Sequence, residues 1–202
     1  GNYQSLLDHL GSGKDWDLSR KHGGLRLLPP FSYEETGGVR AFRGKMEALA
    51  GVRSYLEGVR QSHVVLADSD LIVNIPLQEV YQAHLDSGAD ITAVCTSSVD
   101  GPDDVTYFRL DEGRITETLY PLNDPTGCYR SLEMYILSKD LLLELVDECM
   151  SHDLCSFRGA VLQAKAGALN IRSFVWDGYA AQIHTLKDYY VRSMELLDPT
   201  IR

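Results

Sequence analysis

The sequence is short of the devices that identify many enzymes at a glance. Its four cysteines, Cys95, Cys128, Cys149 and Cys155, include no C-x-x-C pair, so neither a dithiol redox motif nor a zinc site is signalled. They read as reduced thiols of a cytoplasmic protein. There is no G-x-x-x-x-G-K-[ST] or G-x-G-x-x-G phosphate loop, no apolar run of membrane-spanning length, and no basic start followed by an apolar stretch. Positive charge is the scarcer sign: 19 Lys and Arg against 29 Asp and Glu give a formal net charge of -10. Such an excess repels a polyanionic backbone, so nucleic acid is not an expected partner, and without an apolar run of spanning length neither is a membrane. A small phosphorylated ligand remains compatible, since local cations bind it whatever the overall sign.

What is present is an alternation of helical and strand-like periodicity. With 202 residues, 44% hydrophobic and 24% charged, the chain suffices for one substantial core and little more than one large domain. Tyr3 to Leu10 reads as a short helix ended by Gly11-Ser-Gly13. His22 to Thr36, with Pro29-Pro30, reads as exposed loop. From Arg43-Gly44 a single helix carries Met46, Leu49, Val52, Leu56 and Val59 on one apolar stripe. The unbroken Val-Val-Leu-Ala run within His63 to Ala67 predicts a strand buried on both faces, as in a helix-covered parallel sheet. Pro76 to Ser87 suits a helix, proline fitting its first turn, and Asp90 to Thr96 a second buried strand, which together make a right-handed βαβ unit. Val105 to Leu110 and Arg114 to Leu119 flank Asp111-Glu-Gly113 as a hairpin. Leu132 to Leu137 and Leu169 to Val175 are predicted strands; Lys139 to Met150 and Ser156 to Ala166 are predicted helices, the second capped by Ser156. Thr185 to Leu197 is a helix with Leu186, Tyr189, Tyr190, Met194 and Leu197 on one face. The fold class is α/β.

Candidate chemistry is sparse. Asp68-Ser69-Asp70 follows the His63 to Ala67 strand, and the carboxyl ends of parallel strands are where open α/β sheets bind ligands. Asp68 and Asp70 match a D-x-D pattern, two hard oxygen donors able to hold Mg²⁺ or Mn²⁺ against a diphosphate; an Asp capping the next turn gives the same string. Arg43, Gly44 and Lys45 open a helix, where free N–H groups, the helix dipole and two cations favour a phosphate, although a solvated helix terminus looks the same in sequence. His9, His63, His84 and His152 read as packing or surface groups.

Four blocks then follow one another in a known order: Phe42-Arg-Gly-Lys-Met-Glu-Ala48, Val65-Leu-Ala-Asp-Ser-Asp-Leu-Ile72, Ser131-Leu-Glu-Met-Tyr-Ile136 and Gly178-Tyr-Ala-Ala-Gln-Ile-His-Thr-Leu-Lys-Asp-Tyr-Tyr190. This succession resembles glucose-1-phosphate adenylyltransferase, also called ADP-glucose pyrophosphorylase, over nearly the whole chain. The resemblance implies a GT-A-like nucleotidyltransferase domain with a mostly parallel sheet, spanning residues 1–202 as a partial domain. The family's opening strand with its Gly-rich nucleotide loop, and its C-terminal left-handed β-helix, have no counterpart in the sequence. A sheet without that strand is expected to expose an edge and to self-associate.

The departures carry as much information as the matches. Where catalytic members have Tyr-Arg-Gly-Thr-Ala-Asp-Ala, this chain has Phe42 to Ala48, with bulky Met46 beside the nucleotide position. The family's metal aspartate in Ala-Gly-Asp-His falls at Ser69, with Asp68 and Asp70 flanking it, and its second metal aspartate falls at Gln182. The lysine that holds the sugar phosphate falls at Tyr120, and His184 replaces a glycine in a structural role. The resemblance therefore points to the non-catalytic, regulatory type of subunit in bacterial glycogen synthesis. Such a subunit needs no cofactor, pairs with a catalytic subunit in a hetero-oligomer, and takes a phosphorylated sugar or nucleotide effector, with Arg20-Lys21 or Arg43 and Lys45 as its candidate contacts. The alternative is an active Mg²⁺-dependent nucleotidyltransferase or nucleotide-sugar transferase using Asp68 and Asp70 to make ADP-glucose from ATP and glucose 1-phosphate. The central expectation is a pocket short of the positive charge that chemistry needs.

Overall fold

Local signals set most of the elements. The computed structural model describes residues 3–20, 23–28, 31–33, 39–98, 105–122 and 124–201, in two compact units, Gly1–Phe42 and Arg43–Arg202. In the first unit, helix α1 (Tyr3–Leu10) stops where Gly11 adopts φ 49° and its N–H bonds back to the Leu7 carbonyl. A single 3₁₀ turn, Lys14–Trp16, follows. The stretch read as loop contains strand β1 (Phe31–Tyr33), which pairs antiparallel with β2 (Val39–Ala41); the Pro29-Pro30 pair and residues 34–36 lie outside the described residues.

In the second unit the expected single helix from Arg43 is two, α2 (Lys45–Gly51) and α3 (Arg53–Gly58), broken at Val52, whose φ of -115° and ψ of 15° leave the helical range. Strands β3 (His63–Ala67) and β4 (Leu71–Val73) precede helix α4 (Leu77–Ser87). Strand β5 (Ile91–Thr96) is buried at every position, and β6 (Tyr107–Asp111) and β7 (Arg114–Leu119) form the expected hairpin. Its turn places both Glu112 (φ 45°) and Gly113 (φ 78°) in the left-handed region, the arrangement of a two-residue type I′ turn. Strand β8 (Tyr129–Ser138) runs directly into helix α5 (Lys139–Ser151), whose N-cap Ser138 accepts from the Leu141 N–H. A π-helical segment, Arg158–Gln163, replaces the α-helix expected there, with Ser156 accepting from the Gly159 N–H as a capping residue does. Strands β9 (Ile171–Val175) and β10 (Ala180–Gln182) and helix α6 (Leu186–Glu195) complete the unit, and α6 begins with a capping box between Thr185 and Asp188.

The main sheet has the order β3-β8-β5-β9-β7-β6, and β6 also pairs with β8 through Tyr107 and Arg130, which curls the sheet into a small barrel. It is mixed, not mostly parallel: among the described residues β5 with β9 is its parallel pairing and the others are antiparallel. The cause is β8. The strands β3 and β5 do run the same way, as the βαβ reading requires, but β8 lies between them antiparallel to both. This also leaves β3 at an edge, where Val65 is 46% exposed, so its apolar run does not mean burial on both faces.

One face of the sheet buries Ile91, Ala93, Tyr135 and Leu137 against Met46 of α2, Leu142, Leu145 and Val146 of α5, and Val161 and Leu162 of the π-helical segment. The other packs Val94, Leu132, Met134 and Ile136 beneath Val80 of α4. The apolar residues that share one face of α6 are exposed, with Leu186 at 84%. Among the described residues no helix is long and apolar enough to cross a membrane.

Burial of Leu137 between two paired strands predicts that Leu137→Ala costs about 2–5 kcal/mol, whereas Leu186→Ala changes stability by less than about 0.5 kcal/mol. Urea denaturation midpoints read the difference. His84 is buried, shares a 2.9 Å hydrogen bond with Thr92, and is held below its ordinary pKa by burial and by His63, with Asp90 opposing. Its contribution is complete above about pH 6.5 and falls as the pH drops below that, because the unfolded chain then binds the additional proton. His84→Gln is expected to flatten the urea midpoint against pH between about 5 and 8.

Candidate functional site

Helix α2 is the first element to build the site. Its start depends on close contact: an added Cβ at Gly44 would lie 2.4 Å from the Cys155 carbonyl oxygen, which accepts the Met46 N–H at 3.0 Å. That contact occupies one of the N–H groups a phosphate would need, and at seven residues the helix is short. Arg43 is turned onto Asp153, with hydrogen bonds of 2.6 and 3.1 Å, and onto Glu47; Asp153 and Glu47 hold its guanidinium firmly protonated. Of the other basic candidates, Arg20 is ion-paired with Asp17 and Lys21 lies outside the described residues.

Strands β3 and β8 supply the next wall. Ala67 pairs with Met134, so the following Asp68 and the preceding Glu133 reach the same end of the ladder. Past Met134 the register with β5 shifts, and Glu133 takes φ 50°, a bulge that aims its side chain into the site. Lys45 Nζ lies between the two acids, 2.8 Å from Asp68 Oδ1 and 3.5 Å from Glu133 Oε2. Glu133 also accepts from Thr106 at 2.9 Å and from the Tyr135 phenol at 3.1 Å, and that phenol is pushed well above its ordinary pKa by burial and by the Glu133 carboxylate. It stays a donor.

The β4–β10 pair positions the remainder. Gln182 pairs with Leu71, and Ile183 N–H donates to the Asp70 carbonyl at 2.9 Å, which brings Asp70 and the 180–184 stretch side by side. His184 is drawn into the site and does not merely fill space: its Nε2 is 3.4 Å from Asp70 Oδ2. Asp70 Oδ1 is buried without a hydrogen-bond partner among the described residues. Buried Arg130 donates to Gln182 Oε1 at 2.9 Å and to the Ser98 carbonyl at 3.2 Å. Tyr120, after β7, carries the Arg158 guanidinium over its ring at 3.3 Å.

These walls enclose a cavity of about 360 Å³, at the small end for a ligand site. Arg43, Gly44, Lys45, Asp68, Asp70, Tyr120 and Gln182 all line it. Ser69 does not: the strand ends at Ala67, and in the turn that follows Asp68 and Asp70 line the cavity while Ser69 between them does not. Glu133 and Arg158 join them in the lining, and Arg130 reaches the site through Gln182; Glu133 lies in the Ser131 to Ile136 block but is not among the candidate site residues, and Arg130 and Arg158 belong to no sequence motif. Glu133 and Arg130 are visible as charged residues within a strand otherwise apolar, whereas Arg158 has no local signal. The expected shortage of cations is corrected as well, since Lys45, Arg43, Arg130 and Arg158 are at the site, each already engaged.

The residues do not fit a divalent ion of the kind the resemblance implies. Asp68 is held by Lys45, Gln182 is neutral and held by a guanidinium, and among the described residues no three His, Cys, Asp or Glu side chains converge as a metal site.

No family model matches the chain. It is 31% identical over 201 residues to the glycogen biosynthesis protein GlgD of Bacillus subtilis (strain 168), covering 98% of this chain and 47% of that protein. It is 28% identical to a glucose-1-phosphate adenylyltransferase of Halalkalibacterium halodurans, over 96% of this chain and 51% of the relative. A GlgD of Geobacillus stearothermophilus is 32% identical over 74% of this chain and 34% of its own length. The chain thus spans about half the length of the first two relatives.

Gly44→Ala is expected to destabilise by about 1–3 kcal/mol by forcing α2 off the Cys155 carbonyl, whereas Gly58→Ala, with open space at its Cβ, is expected to stabilise by a few tenths to about 1 kcal/mol. Opposite shifts in the thermal midpoint are the readout.

Proposed function

The chain belongs to the ADP-glucose pyrophosphorylase family, and on that premise we propose that it is part of a regulatory, catalytically degenerate subunit that pairs with a catalytic subunit in cytoplasmic glycogen synthesis. The observation that carries this reading is that the pocket's cations are already held by internal partners: Lys45 by the carboxylates of Asp68 and Glu133, Arg130 by the Gln182 amide, and Arg158 by the Tyr120 ring. Attack of a sugar phosphate on a nucleotide α-phosphate brings two anions together and releases pyrophosphate, so it needs positive charge free to meet them. Here each cation must first leave an internal partner. Likeness to two GlgD proteins supports the same reading. A phosphorylated sugar or nucleotide, bound without turnover, is the proposed class of effector.

One observation favours a second reading, an Mg²⁺-dependent transferase: Asp68 and Asp70 share the cavity, and Asp70 Oδ1 lacks a partner among the described residues. Incubating the full-length protein with ATP, glucose 1-phosphate and Mg²⁺ separates the two. The expected outcome is pyrophosphate release at least about 10³-fold slower than by a catalytic partner, because more than one group that would stabilise the transition-state charge is replaced or occupied. Mixing the two proteins is expected to change the rate or the effector response. Release by this protein alone at a rate comparable to the partner's would establish the second reading.

A further inference from the structure

Like charges at the facing ends of paired strands repel, and Asp68 and Glu133 are placed that way by the β3–β8 register. Glu133 cannot swing far. It is fixed by its bulge and by hydrogen bonds from Thr106 and Tyr135, and Asp68 sits at the mouth of the Asp68 to Asp70 turn. Two carboxylates held at close range call for a cation between them, and in most contexts water-bound Mg²⁺ or Mn²⁺ answers that need with one or two carboxylates as protein ligands. In this chain the cation is part of the polypeptide.

We propose that Lys45 is a tethered cation, its ammonium standing between Asp68 and Glu133 where a divalent ion would otherwise bind, so that the pocket is kept permanently metal-free. The geometry is specific: the nitrogen is within 3.5 Å of an oxygen from each acid, it lies 5.6 Å from the centre of the buried Tyr135 ring, and its stem leaves the first position of a helix fixed by the Gly44–Cys155 contact. Ordering the four-carbon lysine stem costs rotamer entropy, but the ammonium is covalently attached and so is present whatever the ion concentration. A dissociable metal can be stripped or exchanged, and a side chain cannot. The consequence is a site whose charge balance no longer depends on Mg²⁺, and in which a polyphosphate cannot recruit the ion it normally brings.

This inference concerns the same pocket as the proposed function, but its test reads ion binding rather than pyrophosphate chemistry, so the two can fail separately. In the full-length protein, Lys45→Met keeps the length of the side chain and removes its charge. Titration with Mn²⁺, followed by the loss of its free-ion electron paramagnetic resonance signal, is expected to give no saturable site in this pocket of the wild type. The Lys45→Met protein is expected to gain a site binding at least about tenfold more tightly than any wild-type background, and Mn²⁺ is expected to raise its Tm selectively. Adding Asp68→Asn is expected to abolish the gain. A Lys45→Met protein that folds and gains no site, or whose gained site survives Asp68→Asn, overturns the proposal. Should Lys45→Met fail to fold in chelator, Lys45→Met with Glu133→Gln is expected to fold, since the opposed carboxylates are gone; if that double variant is equally unfolded, the proposal is overturned.

Discussion

Strand β8 is the constraint on which the second unit depends. It is ten residues long, pairs with β3 and β6 along one side and with β5 along the other, and leads without a loop into α5. Its backbone therefore sets the curvature of the sheet, and its side chains alternate between the core under α5 and the layer beneath α4. Because both edges of β8 are paired, the extra residues around Leu132 and Glu133 have nowhere to go except into a bulge. That bulge turns a glutamate toward the cavity, and Arg130, just before it, donates to Gln182 at the cavity wall.

The pocket follows from this placement. Opposite charges brought together at partial burial satisfy one another before any ligand arrives, and the pairs differ in kind. Lys45 with Asp68 and Glu133 is a point charge between two acids, Arg43 on Asp153 is a two-nitrogen contact, Arg130 on Gln182 is a buried hydrogen bond from a cation to an amide, and Arg158 lies over an aromatic face. An overall charge of -10 says nothing about such an arrangement. What matters for phosphate chemistry is whether a cation is free, and here the cations at the cavity are held by internal partners.

Local reading worked where local energetics decide. The β6–β7 turn, the Ser156 cap, and the starts of α4, α5 and α6 are within a residue or two of expectation because each rests on contacts between near neighbours in sequence. It failed where pairing across the chain decides. An unbroken apolar run at His63 to Ala67 is as compatible with an edge strand as with a central one, and which of them forms depends on where β8 inserts. The three-residue strands β4 and β10 were invisible, since neither is long enough to show a period, yet their pairing sets Gln182 and His184 beside Asp70.

Sequence by itself determined the α/β class, the family resemblance, and the chemical identity of the residues at the cavity, including an amide, not a carboxylate, at Gln182. Tertiary structure decided which of those residues meet. Asp68 and Glu133 are 65 positions apart by their numbering, and Lys45 reaches both from a third element. No spacing rule reports such a contact, because a side chain's electrostatic partner is set by strand register, a backbone bulge and one glycine-permitted approach, all of which exist only once the chain has folded.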